Sequence, residues 1–175
     1  MIAEELDRAI RTIPDFPKKG INFKDITPVL MDANLCKKIT QDFYDQFSGS
    51  HIDAIVGVES RGFLFGMLIA QLFGVPFVTV RKKGKLPYKT ISFKYDLEYG
   101  SSEIEMHVDA IKPGSNVLVH DDLLATGGTA KAAAELVKQS GGKVAGFAFL
   151  VELEELKGVD VINDYSKNIY SIKTY

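Results

Sequence analysis

The chain has 175 residues, 46% of them hydrophobic and 25% charged, a balance typical of one globular domain with a substantial core. Lys and Arg number 21 against 23 Asp and Glu, and a net charge of -2 argues against binding to nucleic acid or an anionic membrane. The apolar stretch 62–80 is interrupted by polar and turn-forming residues, which argues against a membrane span. The single cysteine, Cys36, and the lack of a secretory pattern predict a cytoplasmic protein.

Short apolar runs rich in Val and Ile alternate along the chain with segments of helical length. The predicted strands are Ala54–Val58, Phe77–Arg81, Val117–Asp121 and Val144–Val151, and the predicted helices are Arg61–Phe73 and Thr129–Gln139. This alternation predicts an α/β fold, a single domain whose central, mainly parallel twisted sheet is flanked by helices. Ligands of such a sheet bind at the carboxyl ends of its strands. The polar segment 82–105 is interpreted as a loop.

The most informative segment is the one that reads VLVHDDLLATGGTA, which follows the third predicted strand. Gly127 and Gly128 allow the backbone to approach a ligand closely, and the free N–H groups at the start of the next helix attract an anion. Thr126 and Thr129 add hydroxyl donors, and Ala125 completes the loop. The segment therefore predicts a phosphate site, although a glycine pair alone is also common at ordinary helix starts.

Two adjacent carboxylates, Asp121 and Asp122, stand just before this loop. Carboxylates would repel a phosphate unless they bound something neutral or cationic, and vicinal sugar hydroxyls with a nearby Mg²⁺ meet that need. The pair therefore suggests a ribose. The sequence contains neither a G-x-x-x-x-G-K-[ST] nor a G-x-G-x-x-G string, which disfavours nucleoside triphosphate and dinucleotide binding.

A second polar loop follows the first predicted strand, where Glu59, Ser60 and Arg61 precede a helix. The spacing does not fit the G-x-S-x-G elbow of a serine hydrolase. The alternative for Arg61 is an ordinary arginine at a helix start, with its side chain in solvent and no part in the chemistry.

The next predicted strand ends in a basic cluster, RKKGK, which includes Arg81, Lys82 and Lys85. Such a cluster is often only a solvated surface, but it can also clamp a diphosphate. A pyrophosphate that leaves a sugar carbon gains negative charge as the bond breaks, so cations placed there would stabilise the transition state.

Five strings in the chain, in this order, carry a resemblance to a known family: FPKKGINFKDITPVL, GVESRGFLFG, VRKKGKLP, LEYG and VHDDLLATGGTA. They resemble the type I phosphoribosyltransferases, and in particular the adenine-specific members, from Phe16 to about Ala130. The resemblance implies transfer of the 5-phosphoribosyl group of 5-phosphoribosyl-1-pyrophosphate (PRPP) to adenine, which gives AMP and pyrophosphate in purine salvage. Lys24 and His120 depart from the residues common in the family.

The resemblance also implies roles for individual residues. Phe23 would stack on adenine, whose edge would be read by the backbone around Asn22 and Lys24, within an N-terminal hood of about residues 1–35. The loop Ala125, Thr126, Gly127, Gly128 and Thr129 would bind the 5′-phosphate, and Asp121 and Asp122 the ribose hydroxyls. Pyrophosphate would contact Glu59, Ser60, Arg61, Arg81, Lys82 and Lys85. Mg²⁺ would be bound through PRPP, with Asp121 as a candidate protein contact.

The family places a mobile loop over the site, here about residues 82–105. Glu98 would assist proton movement on the purine, and Tyr99 would help to cover the ligand. The alternative is an ordinary exposed hairpin. The resemblance further implies a strained, cis Glu59–Ser60 peptide, and a homodimer in which Lys82 or Lys85 reaches across the interface.

Two alternatives for the function stay open at this point. One is a phosphoribosyltransferase for another purine, because a stacking Phe23 would hold any purine. The other is a non-catalytic regulator that senses PRPP, although such proteins add a DNA-binding module for which the segment before Phe16 is short. His120 is interpreted as a packed strand residue, and the histidines are not spaced as metal ligands.

Overall fold

The computed structural model describes residues 1–96 and 100–175. In chain order, the elements are α1 (Ile2–Ala9), β1 (Arg11–Ile13), β2 (Phe23–Asp25), α2 (Thr27–Leu30), α3 (Ala33–Phe47), β3 (Ala54–Val58), α4 (Gly62–Phe73), β4 (Phe77–Lys82), β5 (Thr90–Asp96), β6 (Ser101–His107), β7 (Asn116–Leu124), α5 (Gly128–Gln139), β8 (Lys143–Glu152), a 3-10 turn (Glu154–Leu156), α6 (Gly158–Ile162) and β9 (Ile169–Thr174). The predicted α/β class is therefore confirmed, and the predicted strands and helices all occur with small shifts at their ends.

The main sheet of the described residues has seven strands in the order β5-β6-β4-β3-β7-β8-β9. Strands β4, β3, β7, β8 and β9 run parallel, whereas β6 joins β4 and β5 antiparallel. The central strand β3 is buried at every position, as its unbroken apolar run AIVGV predicts. Successive side chains point to opposite faces, so Ile55 packs under α3 and α4 while Val56 packs against α5.

The interpretation of residues 82–105 as a loop was wrong, because this segment contains β5 and most of β6. Ile91, Phe93 and Tyr95 alternate with polar residues and are partly buried against the core. Facing them, Ile104 and Met106 on β6 are buried. The period of two was present in the sequence, but the high polar content of the segment obscured it.

The N-terminal segment lies outside the main sheet. Its strands β1 and β2 pair with each other in a two-stranded antiparallel sheet. Leu6 from α1 and Ile10, the residue that follows this helix, are buried against the same core as α3 and α4. At the other end of the chain, α6 and β9 occupy a stretch in which the sequence showed no readable motif.

Among the described residues, no helix combines the length and the apolar character that crossing a bilayer would require.

Candidate active site

A cleft of about 790 Å³ opens where β3, β4 and β7 end at their carboxyl termini. This is the position that the parallel topology predicts for a ligand. The lining residues that the sequence had singled out are Phe23, Glu59, Ser60, Arg61, Lys82, Lys85, Asp121, Asp122, Ala125, Thr126, Gly127, Gly128 and Thr129. The structure thus brings together segments from four separate parts of the chain.

The loop between β7 and α5 forms one wall of this cleft. Gly127 has φ +82°, a conformation that glycine adopts without strain, and a Cβ there would lie 2.7 Å from the Gly158 carbonyl oxygen. In the described structure, no side chain caps the start of α5, so its first N–H groups are directed to the cleft without a protein partner of that kind. Unpaired amides and the helix dipole make this wall suitable for a phosphate.

The acid pair lies at the floor of the cleft, next to an arginine from the loop after β3. Arg61 Nε lies 3.0 Å from Asp122 Oδ2, and the Asp122 side chain is only 6% exposed. The backbone N–H of Asp122 donates to Asp121 Oδ1 at 2.9 Å. Burial raises the pKa of Asp121 well above its ordinary value, and the charge of Asp122 adds to this effect. Burial also raises the pKa of Asp122, while Arg61 opposes the shift. Burial disfavours the charged forms of both carboxylates, and hydroxyl donors or a cation would compensate that charge. The pair is therefore suited to hold either kind of group.

An aromatic wall faces the acid pair. Phe23, on β2, lines the cleft, and the Arg61 guanidinium carbon lies 5.0 Å from the centre of its ring. Phe16 packs edge-on against Phe23 with ring centres 5.2 Å apart. A flat aromatic ligand could stack on Phe23. Asn22 and Lys24 are not among the lining residues, and the Lys24 side chain turns away from the cleft to donate to Thr12 Oγ1 at 3.1 Å.

The basic segment after β4 contributes its lysines and its arginine differently. Lys82 and Lys85 line the cleft of their own chain. Arg81 is not a lining residue, because its guanidinium lies 2.9 Å from Glu59 Oε1 and donates to the Lys85 carbonyl oxygen at 3.3 Å. The hydrogen bond from Arg81 lowers the pKa of Glu59. The Glu59–Ser60 peptide is cis, as the resemblance implies.

Glu105, which the sequence analysis missed, holds the turn of this basic segment. It is buried on β6, and its Oε1 accepts the backbone N–H groups of Gly84, Lys85 and Leu86 at 3.0, 3.1 and 3.0 Å. Its Oε2 accepts from Thr90 Oγ1 at 3.1 Å. The conformation of the turn that presents Lys85 therefore depends on one carboxylate some twenty residues away.

Other lining residues were also missed. Tyr95, on β5, has its hydroxyl 3.1 Å from Thr129 Oγ1, so β5 contacts the start of α5 beside the glycine-rich loop. The remaining six are all apolar: Val58, Val80, Ile104, Leu123, Leu124 and Ala130. No chemical signal distinguishes these from other core residues.

Three predictions concern residues at the edges of the site. Glu98 and Tyr99 lie outside the residues that the structure describes, so their predicted roles stay predictions. His120 is fully buried, with Nδ1 2.9 Å from the Ala148 carbonyl oxygen. Burial lowers the pKa of His120 to about 4, and its interpretation as a packed strand residue is confirmed.

Comparisons with known proteins agree with this geometry. Residues 25–173 match the family described as the phosphoribosyl transferase domain. The adenine phosphoribosyltransferase of Cytophaga hutchinsonii is 48% identical over 175 residues, which cover all of this chain and 97% of that protein. The adenine phosphoribosyltransferase of Thermoanaerobacter pseudethanolicus, known from a crystal structure, is 48% identical in sequence. Its TM-score is 0.95, and the match covers 99% of both chains.

A third relative has been solved with ligands. The adenine phosphoribosyltransferase of Saccharomyces cerevisiae, in complex with adenine and an imino-sugar bisphosphate, is 41% identical, with a TM-score of 0.91 and 98% of both chains covered. These similarities cover nearly the whole chain, well beyond the five strings that carry the resemblance. The chain therefore belongs to the phosphoribosyltransferase family, and within it to the adenine phosphoribosyltransferases.

Proposed function

We propose that this chain transfers the 5-phosphoribosyl group of PRPP to adenine, giving AMP and pyrophosphate for purine salvage. The observation that carries the proposal is the convergence, in one cleft, of an amide-rich phosphate loop, a buried acid pair, an aromatic ring and two lysines. Each matches one part of the two substrates. The yeast relative was solved with adenine and a sugar-like bisphosphate, which supports the same pairing of ligands.

The phosphoribosyl group would lie between the loop and the acid pair. The amides at the start of α5 and the hydroxyls of Thr126 and Thr129 would bind the 5′-phosphate. Asp121 and Asp122 would accept hydrogen bonds from the ribose hydroxyls. Since Arg61 already compensates the charge of Asp122, this carboxylate can lie near a phosphate without strong repulsion.

The reaction is a displacement at C1 of the ribose. Adenine N9 attacks C1, the bond from C1 to the pyrophosphate oxygen breaks, the configuration inverts, and the proton on N9 is lost. Lys82, Lys85 and Arg61 would stabilise the negative charge that develops on the leaving pyrophosphate. Glu98 would assist the movement of the purine proton. Arg81 would act on pyrophosphate through the Glu59 and Ser60 turn with which it is paired.

Adenine would stack on Phe23, with the backbone of Asn22 and Lys24 at its edge. In this proposal the N-terminal segment, about residues 1–35, is a hood over the base, within a single domain of residues 1–175. Residues 82–105, which include β5 and most of β6, would cover the opposite side as a mobile flap, with Tyr99 against the ligand. A cover is useful because water would otherwise capture a sugar with a partial positive charge at C1.

Mg²⁺ would enter this site with PRPP. Among the residues that the structure describes, no group of three His, Cys, Asp or Glu side chains could hold a metal. The ion would keep several waters and bind chiefly through substrate oxygens, with one carboxylate such as Asp121 nearby. The bound ion would neutralise charge on the diphosphate.

The protein would act as a homodimer in the cytoplasm. Helix α4 exposes an apolar stripe at helical spacing, formed by Leu64, Met67, Leu68 and Leu72. This stripe would form the dimer interface. Leu68 is 40% exposed, so Leu68→Lys would place a charge in that interface and should shift the protein from dimer to monomer in sedimentation experiments. Leu156→Lys, at a leucine with 43% exposure elsewhere on the surface, should not.

The proposed activity is tested by pyrophosphate release from PRPP and Mg²⁺ with adenine, hypoxanthine, guanine, xanthine or orotate as the acceptor. Turnover with adenine alone is expected. Turnover with another purine would change the assigned base, and binding of PRPP without any turnover would favour a regulator.

The role of Glu98 is tested in the same assay. Glu98→Ala should lower turnover by about tenfold or more with a smaller change in the Michaelis constant for adenine, since assistance to proton transfer acts in the transition state. Glu155→Ala, at an exposed glutamate of the 3-10 turn, is the control.

A further inference from the structure

The strand that carries Phe23 is held on its other side by Tyr175, which directly follows the last strand of the main sheet. Lys24 follows Phe23 on β2, and its Nζ lies 3.6 Å from the centre of the Tyr175 ring. The same Nζ donates to Thr12 Oγ1, on β1, at 3.1 Å. A lysine held over an aromatic face in this way gains a cation–π attraction. Both strands of the small sheet are therefore tied to Tyr175.

Tyr175 is itself firmly anchored. Its backbone N–H donates to the Glu152 carbonyl oxygen at 2.9 Å, and its carbonyl oxygen accepts from the Glu154 N–H at 3.0 Å. Its hydroxyl donates to Asp7 Oδ1 on α1 at 2.6 Å. The ring thus forms a fixed point between the main sheet and α1, against which Lys24 can be held.

The small sheet needs such support. Each of its strands has three residues, and in the described structure β2 pairs with β1 alone. A two-stranded hairpin is at best marginally stable in water by itself. Neighbouring side chains of a strand point to opposite faces, so the contact that turns Lys24 toward Tyr175 also turns Phe23 toward the cleft.

We propose that Tyr175 is a positioning residue for the purine: by holding Lys24 it aims Phe23, and the backbone on either side of Phe23, at the base. This inference rests on the proposed function for the identity of the ligand. It assigns to the residue that follows β9, far from the recognised motifs, a part in base binding that no cleft contact reveals, since Tyr175 is not a lining residue.

The expected result is selective. Tyr175→Ala should raise the Michaelis constant for adenine about three- to tenfold, the effect of losing one cation–π contact, with turnover and the Michaelis constant for PRPP within about twofold of wild type. Tyr175→Phe keeps the ring under Lys24 and loses only the bond to Asp7. It should restore the adenine constant to within about twofold of wild type.

The matched control is Tyr165→Ala. Tyr165 also donates to a carboxylate, Glu135, and has a lysine near its ring, with Lys138 Nζ 5.2 Å from the ring centre, but it packs under α5. Both alanine variants should unfold at lower temperature, whereas only Tyr175→Ala should change the adenine constant. An equal change in both, or no change in either, would overturn the proposal.

Two further measurements separate this inference from its premise. Lys24→Met removes the cation, and adding Tyr175→Ala to it should change the adenine constant less than twofold, because both act through one contact. Hydrogen exchange of the amides in residues 11–25 should be faster in Tyr175→Ala than in Tyr165→Ala, whether or not the protein turns over adenine. Faster exchange without adenine turnover by wild type would refute the proposed function alone. Unchanged exchange would refute the positioning role.

Discussion

Arg61 lies between the two halves of the cleft: its Nε is 3.0 Å from Asp122 Oδ2, and its guanidinium carbon is 5.0 Å from the centre of the Phe23 ring. One side chain thereby joins the wall that would bind ribose to the wall that would bind the base. Its charge also faces the space where pyrophosphate would leave. If the proposed reaction is right, the packing of the cleft and the stabilisation of the leaving pyrophosphate would depend on the same guanidinium.

Replacing this arginine tests both roles. Arg61→Ala should lower turnover by about tenfold to a hundredfold, the effect of one lost charge-assisted interaction in the transition state. It should also lower the free energy of unfolding by about 1–3 kcal/mol, because Asp122 stays buried without its partner. Kinetics and urea unfolding measure the two effects. Arg8→Ala, at an exposed arginine of α1, is the control, and wild-type turnover in Arg61→Ala would contradict the assignment.

The phosphate loop has a backbone constraint that a single methyl group would break. At Gly127 the positive φ of +82° and the Gly158 carbonyl oxygen, 2.7 Å from a Cβ, both oppose a side chain. Gly127→Ala should cost about 2–4 kcal/mol of unfolding free energy and should raise the Michaelis constant for PRPP.

Gly114→Ala separates the two contributions to that cost. Gly114 has a similar φ of +84°, but no atom lies within 4 Å of a Cβ there. Its substitution should therefore lower the free energy of unfolding by about 1–2 kcal/mol, the cost of the backbone conformation alone. Equal losses in the two variants would show that the contact with Gly158 is unimportant.

Local patterns predicted the parts of the fold whose causes are local. The strand β3 is a continuous apolar run because both of its faces are covered, and the loop from Asp121 to Thr129 is recognisable because glycines, carboxylates and hydroxyls follow one another directly. The contact of Tyr95 with Thr129 joins residues 34 positions apart, and no pattern in the neighbouring sequence predicts it. Likewise, the direction of the Lys24 side chain depends on Tyr175, at the other end of the sequence.

Glu105 allows a test of how strand β6 supports the basic segment after β4. Glu105→Gln replaces an acceptor of three backbone N–H groups with an amide that donates as well, so part of the turn around Lys85 should lose its partners. The expected loss of unfolding free energy is about 1–3 kcal/mol, with about a three- to tenfold rise in the Michaelis constant for PRPP.

Glu103→Gln is the matched control for this prediction. Glu103 lies on the same strand and pairs with Lys83 Nζ at 2.6 Å, but its partners are side chains nearer to solvent. It should lose about 1 kcal/mol or less and bind PRPP normally. A similar effect of both variants on PRPP would argue against a special role for Glu105.

His120 makes stability depend on pH in a direction that can be derived. Burial lowers the pKa of His120 to about 4 in the folded protein, against 6.5 for an exposed histidine, so the unfolded chain binds the proton first. The contribution of His120 to the free energy of unfolding is complete above about pH 6.5 and falls as the pH decreases toward 4, by about 2 kcal/mol at pH 5.

Urea unfolding at pH 7.5 and pH 5 measures this effect. Between these two pH values, wild type should lose more free energy of unfolding than His120→Val, and the difference should be about 2 kcal/mol. Carboxylates, His51 and His107 are present in both proteins and cancel in the difference. Parallel pH curves for the two proteins would mean that His120 is accessible to protons in the folded state.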